Sequence, residues 1–101
     1  MKILNQEFLE SIYKEQREVS LFGKWITFNN IKKLFSKYNT VFQVSEIGTS
    51  EENRPIMQFK IGSGKKKILI WTQMHGNEST GTKAVFDLFN CFKSIFFCVD
   101  N

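Results

Sequence analysis

"KILIWTQMHGNESTGTKAVFDLF", residues 67–89, changes character twice along its length. Residues 67–71 are a short apolar run rich in β-branched isoleucine, the length and composition of a strand buried on both faces beneath helices. Residues 72–79 are polar. Ser79 or Thr80 can then cap a helix, in which Ala84, Val85, Leu88, Phe89 and Phe92 recur at i, i+1, i+4, i+5 and i+8 and form one broad apolar face. The order strand, polar loop, helix predicts an α/β fold. In open α/β sheets, ligands bind beyond the carboxyl ends of strands, so the loop is the place to look for chemistry. It holds the only histidine of the chain, His75, with Glu78 three positions later. Gly76 between them is read as the residue that lets the backbone turn sharply where a Cβ would crowd it.

Upstream, Phe8, Leu9, Ile12 and Tyr13 recur at helical spacing and predict an amphipathic helix from residue 6 to about 16. "WITFNNIKKLFSKY", residues 25–38, holds a second helix, capped by Thr27 or Asn29, with Ile31, Leu34, Phe35 and Tyr38 as its apolar stripe. The period then becomes two. "TVFQVSEIG" (40–48) and "PIMQFKIG" (55–62) alternate as half-buried strands do. In the second of these, Ile56, Gln58 and Lys60 share one side and Met57, Phe59 and Ile61 the other. Pro55 stands at its start, where a strand tolerates proline. The polar turn "TSEENR" joins the two as a hairpin, and "GSGKKK" (62–67) turns the chain into the apolar run.

Composition bounds the function. The chain has 101 residues, enough for one small domain, and it is 42% hydrophobic and 24% charged, ordinary for a soluble protein. A net charge of +4 is mild. The lysines are scattered apart from Lys65, Lys66 and Lys67, which read as a solvated loop rather than a phosphate-binding patch. Basic and aromatic residues do not interleave as single-stranded nucleic-acid binding requires, and no nucleic-acid partner is expected. The N-terminus lacks the continuous apolar core of a secretory signal, and no run reaches the roughly 20 residues that span a bilayer. No membrane partner is expected either. Cys91 and Cys98 are too few for a disulfide framework and fit no zinc-ribbon or redox spacing. Both read as buried free thiols, which implies a reducing, cytoplasmic setting.

His75 and Glu78 admit two readings. Zinc takes imidazole nitrogen and carboxylate oxygen, and side chains three apart at the mouth of a helix can aim at one point. A catalytic zinc takes three protein ligands and a water, so the pair is half of a site. The plainer reading is a histidine in a polar loop and an acid favoured by the dipole of the helix it precedes. Residues alone leave both open.

"LIWTQMHGNESTGTKAVFDLF" (69–89) closely resembles the first zinc-ligand segment of the zinc metallocarboxypeptidases, the carboxypeptidase A-like family. Upstream, "IGTSEENRPIMQFKIG" (47–62) resembles the family's Gly-x-Ser…Arg-Pro-Ile segment, here Gly48, Ser50, Arg54, Pro55 and Ile56. Together the segments span residues 41 to 90 in the family's order and spacing. The resemblance implies the N-terminal part of a mixed-sheet zinc-carboxypeptidase-like α/β fold, with hairpin, buried strand and helix. It implies His75 and Glu78 as ligands to Zn2+, a peptide substrate, and hydrolysis of C-terminal peptide bonds by a zinc-activated water. On this view residues 39–101 are an N-terminal fragment of the catalytic domain, and residues 1–38 are a helical segment outside the recognisable core.

The departures are specific. The family's second histidine ligand, its glutamate base, the arginines that hold the substrate carboxylate and its tyrosine all lie downstream of the matched segments and have no counterpart here. Asn77 stands where digestive members carry arginine. "FNCFKSIFFCVDN" (89–101) crowds phenylalanines where a polar turn is expected, which suggests a truncated or frame-shifted product. Two alternatives follow: an amidohydrolase of the aspartoacylase or succinylglutamate desuccinylase type, whose members share the "HGNE" turn, or a non-catalytic remnant.

Overall fold

The computed structural model describes the backbone of residues 4–100 and the side chains of residues 4–95. Phe96 and Phe97, among the crowded phenylalanines, and Cys98, expected as a buried thiol, lie outside the described side chains. The order is α1 (Gln6–Gln16), α2 (Phe28–Ile31), a 3₁₀ turn (Lys32–Leu34), α3 (Phe35–Tyr38), β1 (Gln43–Thr49), β2 (Pro55–Lys60) and α4 (Thr80–Asp100). Among the described residues, helices accompany one two-stranded antiparallel sheet, an α/β arrangement.

Local chemistry explains most boundaries. Asn5 caps α1, its Oδ1 accepting from the Phe8 N–H at 2.8 Å, while Glu7 and Lys14 complement the helix dipole at either end. Thr27 opens α2, and Asn30 Oδ1 accepts from both its N–H and its hydroxyl. The expected single helix over 28–38 is three short pieces, α2, the 3₁₀ turn and α3. Pro55 begins β2 as expected. In β2, Met57 and Phe59 turn inward while Ile56 is exposed. The ladder runs Gln43↔Lys60 to Glu46↔Met57 and then shifts by one at Gly48↔Ile56. Ile47 is the extra residue of this bulge and faces solvent, 61% exposed.

Among the described residues the buried apolar side chains form one core. Leu21, Ile26, Leu34, Tyr38, Phe42, Phe86 and Phe89 are buried, with Val44, Phe59, Val85 and Phe92 packed against them. Residues on both sides of position 38 therefore share it. Tyr38 is the most deeply buried, at 0% exposure. Its ring stacks on Phe42 and meets Phe86 and Phe89 at 5.8 and 5.5 Å, and Phe59 lies 4.8 Å from Phe89. Such pairs each add about 0.5–1.5 kcal/mol beyond area burial. The inward face of α4 is rotated from the one expected. Phe86 is buried, whereas Leu88 is 41% exposed and Ala84 also faces out. The rotation brings Phe86 and Phe89 to Tyr38 and lets Thr82 and Asn90 reach polar partners.

Those partners form a buried polar hub. Tyr38 OH donates to Glu18 Oε1 at 2.9 Å and lies 2.8 Å from Asn90 Oδ1. Glu18 also accepts from Lys37 Nζ and from the Ser20 hydroxyl. The Glu18 N–H donates to Asp87 Oδ1 at 2.6 Å, and Asn90 Nδ2 donates to the Gln16 carbonyl at 2.8 Å. Burial by itself would raise the Glu18 pKa. The hydrogen bonds from Lys37, Ser20 and Tyr38 and the Lys37 charge outweigh it and hold the carboxyl at about 2. Burial and the neighbouring carboxylates of Glu18 and Asp87 push the Tyr38 phenol up.

The expected buried strand at 67–71 is absent. These residues form no strand, and Ile68, Leu69, Ile70 and Trp71 are 82%, 79%, 64% and 65% exposed. A doubly buried strand needs paired neighbours on both edges and cover on both faces. Among the described residues the only sheet is the hairpin, and α4 spends its inward face on Tyr38 and the phenylalanines.

Two outcomes follow. Because the Glu18 carboxyl is depressed in the folded protein, its contribution is complete above the ordinary 4.5 and is lost as pH falls toward about 2. Glu18→Gln should lower the urea midpoint at pH 7, and the gap from wild type should close between these two pH values. Ile68→Ser combined with Ile70→Ser should reduce binding of the dye ANS while changing urea stability by less than about 0.5 kcal/mol, since neither side chain is in the core.

Candidate metal centre

The polar turn leaves the exposed run at Thr72 and enters α4 at Thr80. Its curvature is closed by the Glu78 N–H donating to the His75 carbonyl at 3.0 Å. The two side chains stand on the same side of the bend, His75 Nδ1 and Glu78 Oε2 lying 2.9 Å apart. Both are largely open to solvent, 73% and 67% exposed. Tetrahedral arms of ~2.0–2.2 Å place two ligand atoms roughly 3.4 Å apart, so a cation could replace the hydrogen bond with a small adjustment of either side chain. Imidazole nitrogen with carboxylate oxygen is also the donor set zinc takes. Among the described residues no third His, Cys, Asp or Glu joins them to make a group of three. Cys91 is half-buried, and burial, together with the Asp87 charge, pushes its thiol pKa up, the wrong direction for a metal thiolate.

The turn is strapped to the body by residues 23–26, a segment without a motif of its own. Ser79 Oγ donates to the Lys24 carbonyl at 2.6 Å, Lys83 Nζ to the Gly23 carbonyl at 2.9 Å, and Gln73 Nε2 to the Ile26 carbonyl at 2.8 Å. These three anchors hold the entrance of α4. Ser79 is one of the two residues expected to cap the helix, but its hydroxyl serves this strap instead. Thr72 and Thr82 hydroxyls also meet at 2.8 Å across the base of the turn.

The glycine reading needs correction. Gly76 is outside the left-handed region, and a Cβ built there meets nothing within 4 Å. The left-handed residue of the turn is Gln73, at φ 58°. No motif of local sequence marks it, because one of the bonds that hold its side chain goes to the Ile26 carbonyl, 47 positions away. In the hairpin, the segment from Ser50 to Arg54 closes through the Ser50 N–H to the Arg54 carbonyl at 2.7 Å, and Arg54 pairs with Glu52 at 2.7 Å.

A family model described as zinc carboxypeptidase matches residues 28–93, nearly two thirds of the chain. The match takes in the hairpin, the turn and the first part of α4, and it begins just after the 23–26 strap. No curated protein and no solved structure matches.

Gly76→Ala should leave the fold intact and raise stability by about 0.4–1 kcal/mol through the unfolded chain, as measured by urea denaturation. A loss of that size would place the conformational demand of the turn at Gly76 after all.

Proposed function

Since the chain belongs to the zinc carboxypeptidase family, we propose that His75 and Glu78 are two of the protein ligands of a catalytic zinc, in a peptidase that removes C-terminal residues from peptide substrates. The observation that carries the reading is the convergence of His75 Nδ1 and Glu78 Oε2 to 2.9 Å on one side of the turn inside the matched segment. When bound, the metal would acidify a water and polarise the scissile carbonyl.

The roles of the residues follow from their chemistry. His75 offers a ring nitrogen and Glu78 carboxylate oxygens, the donor types zinc takes. Both are open to solvent, so substrate and ion can reach them. The 23–26 strap holds the backbone of the turn, and the first turn of α4 fixes where Glu78 leaves the loop. Asn77 presents an uncharged side chain between them, so recognition of a substrate carboxylate falls to other groups. Two ligands do not make the three that a catalytic zinc takes, and the described residues contribute no third. On these two ligands alone the site would hold zinc weakly and would lack the third ligand that a catalytic centre takes. The family match favours peptide over N-acyl amino acid as the substrate class of the assembled site.

Zinc titration of the purified chain tests this. Wild type should bind zinc in a manner lost in both His75→Ala and Glu78→Ala, with the far-UV circular dichroism unchanged. Zinc binding that survives both substitutions would remove the ligand assignment, and hydrolysis of hippuryl-amino acids by the isolated chain would contradict the two-ligand reading.

A further inference from the structure

We propose that Gln73 is the positioning residue of the His75–Glu78 turn. Its side-chain amide, rather than Gly76, sets where the two groups stand. The importance of this for metal binding rests on the zinc-ligand reading above, but the positioning itself does not.

The observation begins with the backbone. Gln73 has φ 58°, the left-handed region that a residue with a Cβ adopts at a cost. Such a conformation persists where its surroundings over-determine it, and here the side chain does so. Nε2 donates to the Ile26 carbonyl at 2.8 Å and to the Gly76 carbonyl at 3.0 Å. Oε1 accepts from the Thr82 hydroxyl at 2.8 Å. The orientation of the amide is dictated by its partners, because two carbonyls can only accept. One planar group thus joins the strap before α2, the peptide between His75 and Glu78, and the first turn of α4.

The side chains of the pair have little else to hold them. His75 and Glu78 are mostly exposed and touch each other, so no packed wall fixes them. Their relative placement is inherited from the backbone of the turn, and the Gly76 carbonyl that Gln73 holds lies in the chain between them. Thr82, which completes the amide's contacts, is 7% exposed and therefore fixed in the body of the protein. Ring and carboxylate are in effect mounted on the Gln73 amide, which is mounted on Thr82 and Ile26. Partners that bond ligand side chains directly change metal affinity by about 10- to 100-fold when removed, and Gln73 acts on the backbone that carries both ligands.

Gln73→Glu is the discriminating variant. It keeps size and backbone preference, yet it replaces the two-proton donor with an oxygen that faces two carbonyls. Thr82→Val is the milder companion, removing the proton given to Oε1 and the contact with the Thr72 hydroxyl while leaving both Nε2 bonds in place, and it serves if Gln73→Glu does not fold. Phe92→Leu is the control, lowering core stability at a distance from the turn. Two readouts apply. The first needs no metal: the solvent-exchange rate of the Glu78 amide, which is bonded to the His75 carbonyl. It should rise about tenfold or more in Gln73→Glu and less in Thr82→Val, and should not change in Phe92→Leu. The second is ZnCl2 titration followed on the His75 ring signals by NMR, where Gln73→Glu should weaken binding about 10- to 100-fold while Phe92→Leu leaves it unchanged. An unchanged Glu78 exchange rate in Gln73→Glu overturns the proposal. Absence of zinc binding in wild type overturns the ligand reading instead, and the exchange rate still decides the role of Gln73.

Discussion

The hydrogen bond from the Tyr38 phenol to the Glu18 carboxylate ties the polar and apolar halves of the molecule together. Tyr38 is sealed from solvent, and its ring touches aromatic groups from the segment that follows α3, from β2 and from α4. Its hydroxyl donates to a carboxylate that is itself buried. A buried carboxylate without partners would cost several kcal/mol. Glu18 instead has Lys37, Ser20 and Tyr38, and its own N–H is taken up by Asp87 of α4. The apolar half of Tyr38 gathers the phenylalanines, and the polar half locks the α1–α2 connection to α3 and α4. A small chain with a loose exterior keeps a defined centre because both kinds of contact are made by one residue.

What can be read from residues alone follows the range of the interactions. α1, the hairpin and the start of α4 are governed by neighbours a few positions apart: Asn5 with Phe8, Pro55 at a strand start, a polar turn into a helical period. These are legible. The run at 67–71 is not, because its composition reports the environment it suits, whereas burial depends on paired strands elsewhere. The rotation of α4 escapes for a similar reason. Val85 and Phe86 sit side by side on the helix, and only the position of Tyr38 decides that Phe86 goes fully inward. Apart from the local Ser20–Glu18 bond, the hub links residues 19 to 74 positions apart, and no periodicity encodes such pairings.

At the site, spacing and residue type permit His75 and Glu78 as donors, and the family resemblance is what names them as candidate ligands. The mounting of the pair is not legible. The residues that hold the turn, Gln73, Ser79, Thr82 and Lys83, are polar residues of the turn and the first turn of α4, but the partners at Gly23, Lys24 and Ile26 come from a segment that carries no motif. That segment also precedes the family match. The family-specific part of the chain therefore leans, for the placement of its candidate ligands, on residues that lie in front of it.

The lysines at 65–67 and the unpaired backbone beyond them have a further consequence. A protease needs an extended, accessible segment to thread through its cleft, and here a folded molecule presents one next to three basic residues. Nicking by a trypsin-like enzyme would require no opening of the core. The cut would part the hairpin from α4 in covalent terms only. Phe59 would still lie against Phe86 and Phe89, and Tyr38 would still bond across to Asn90. The two pieces have the makings of a complementing pair, a split protein held together by aromatic contact and one buried phenol.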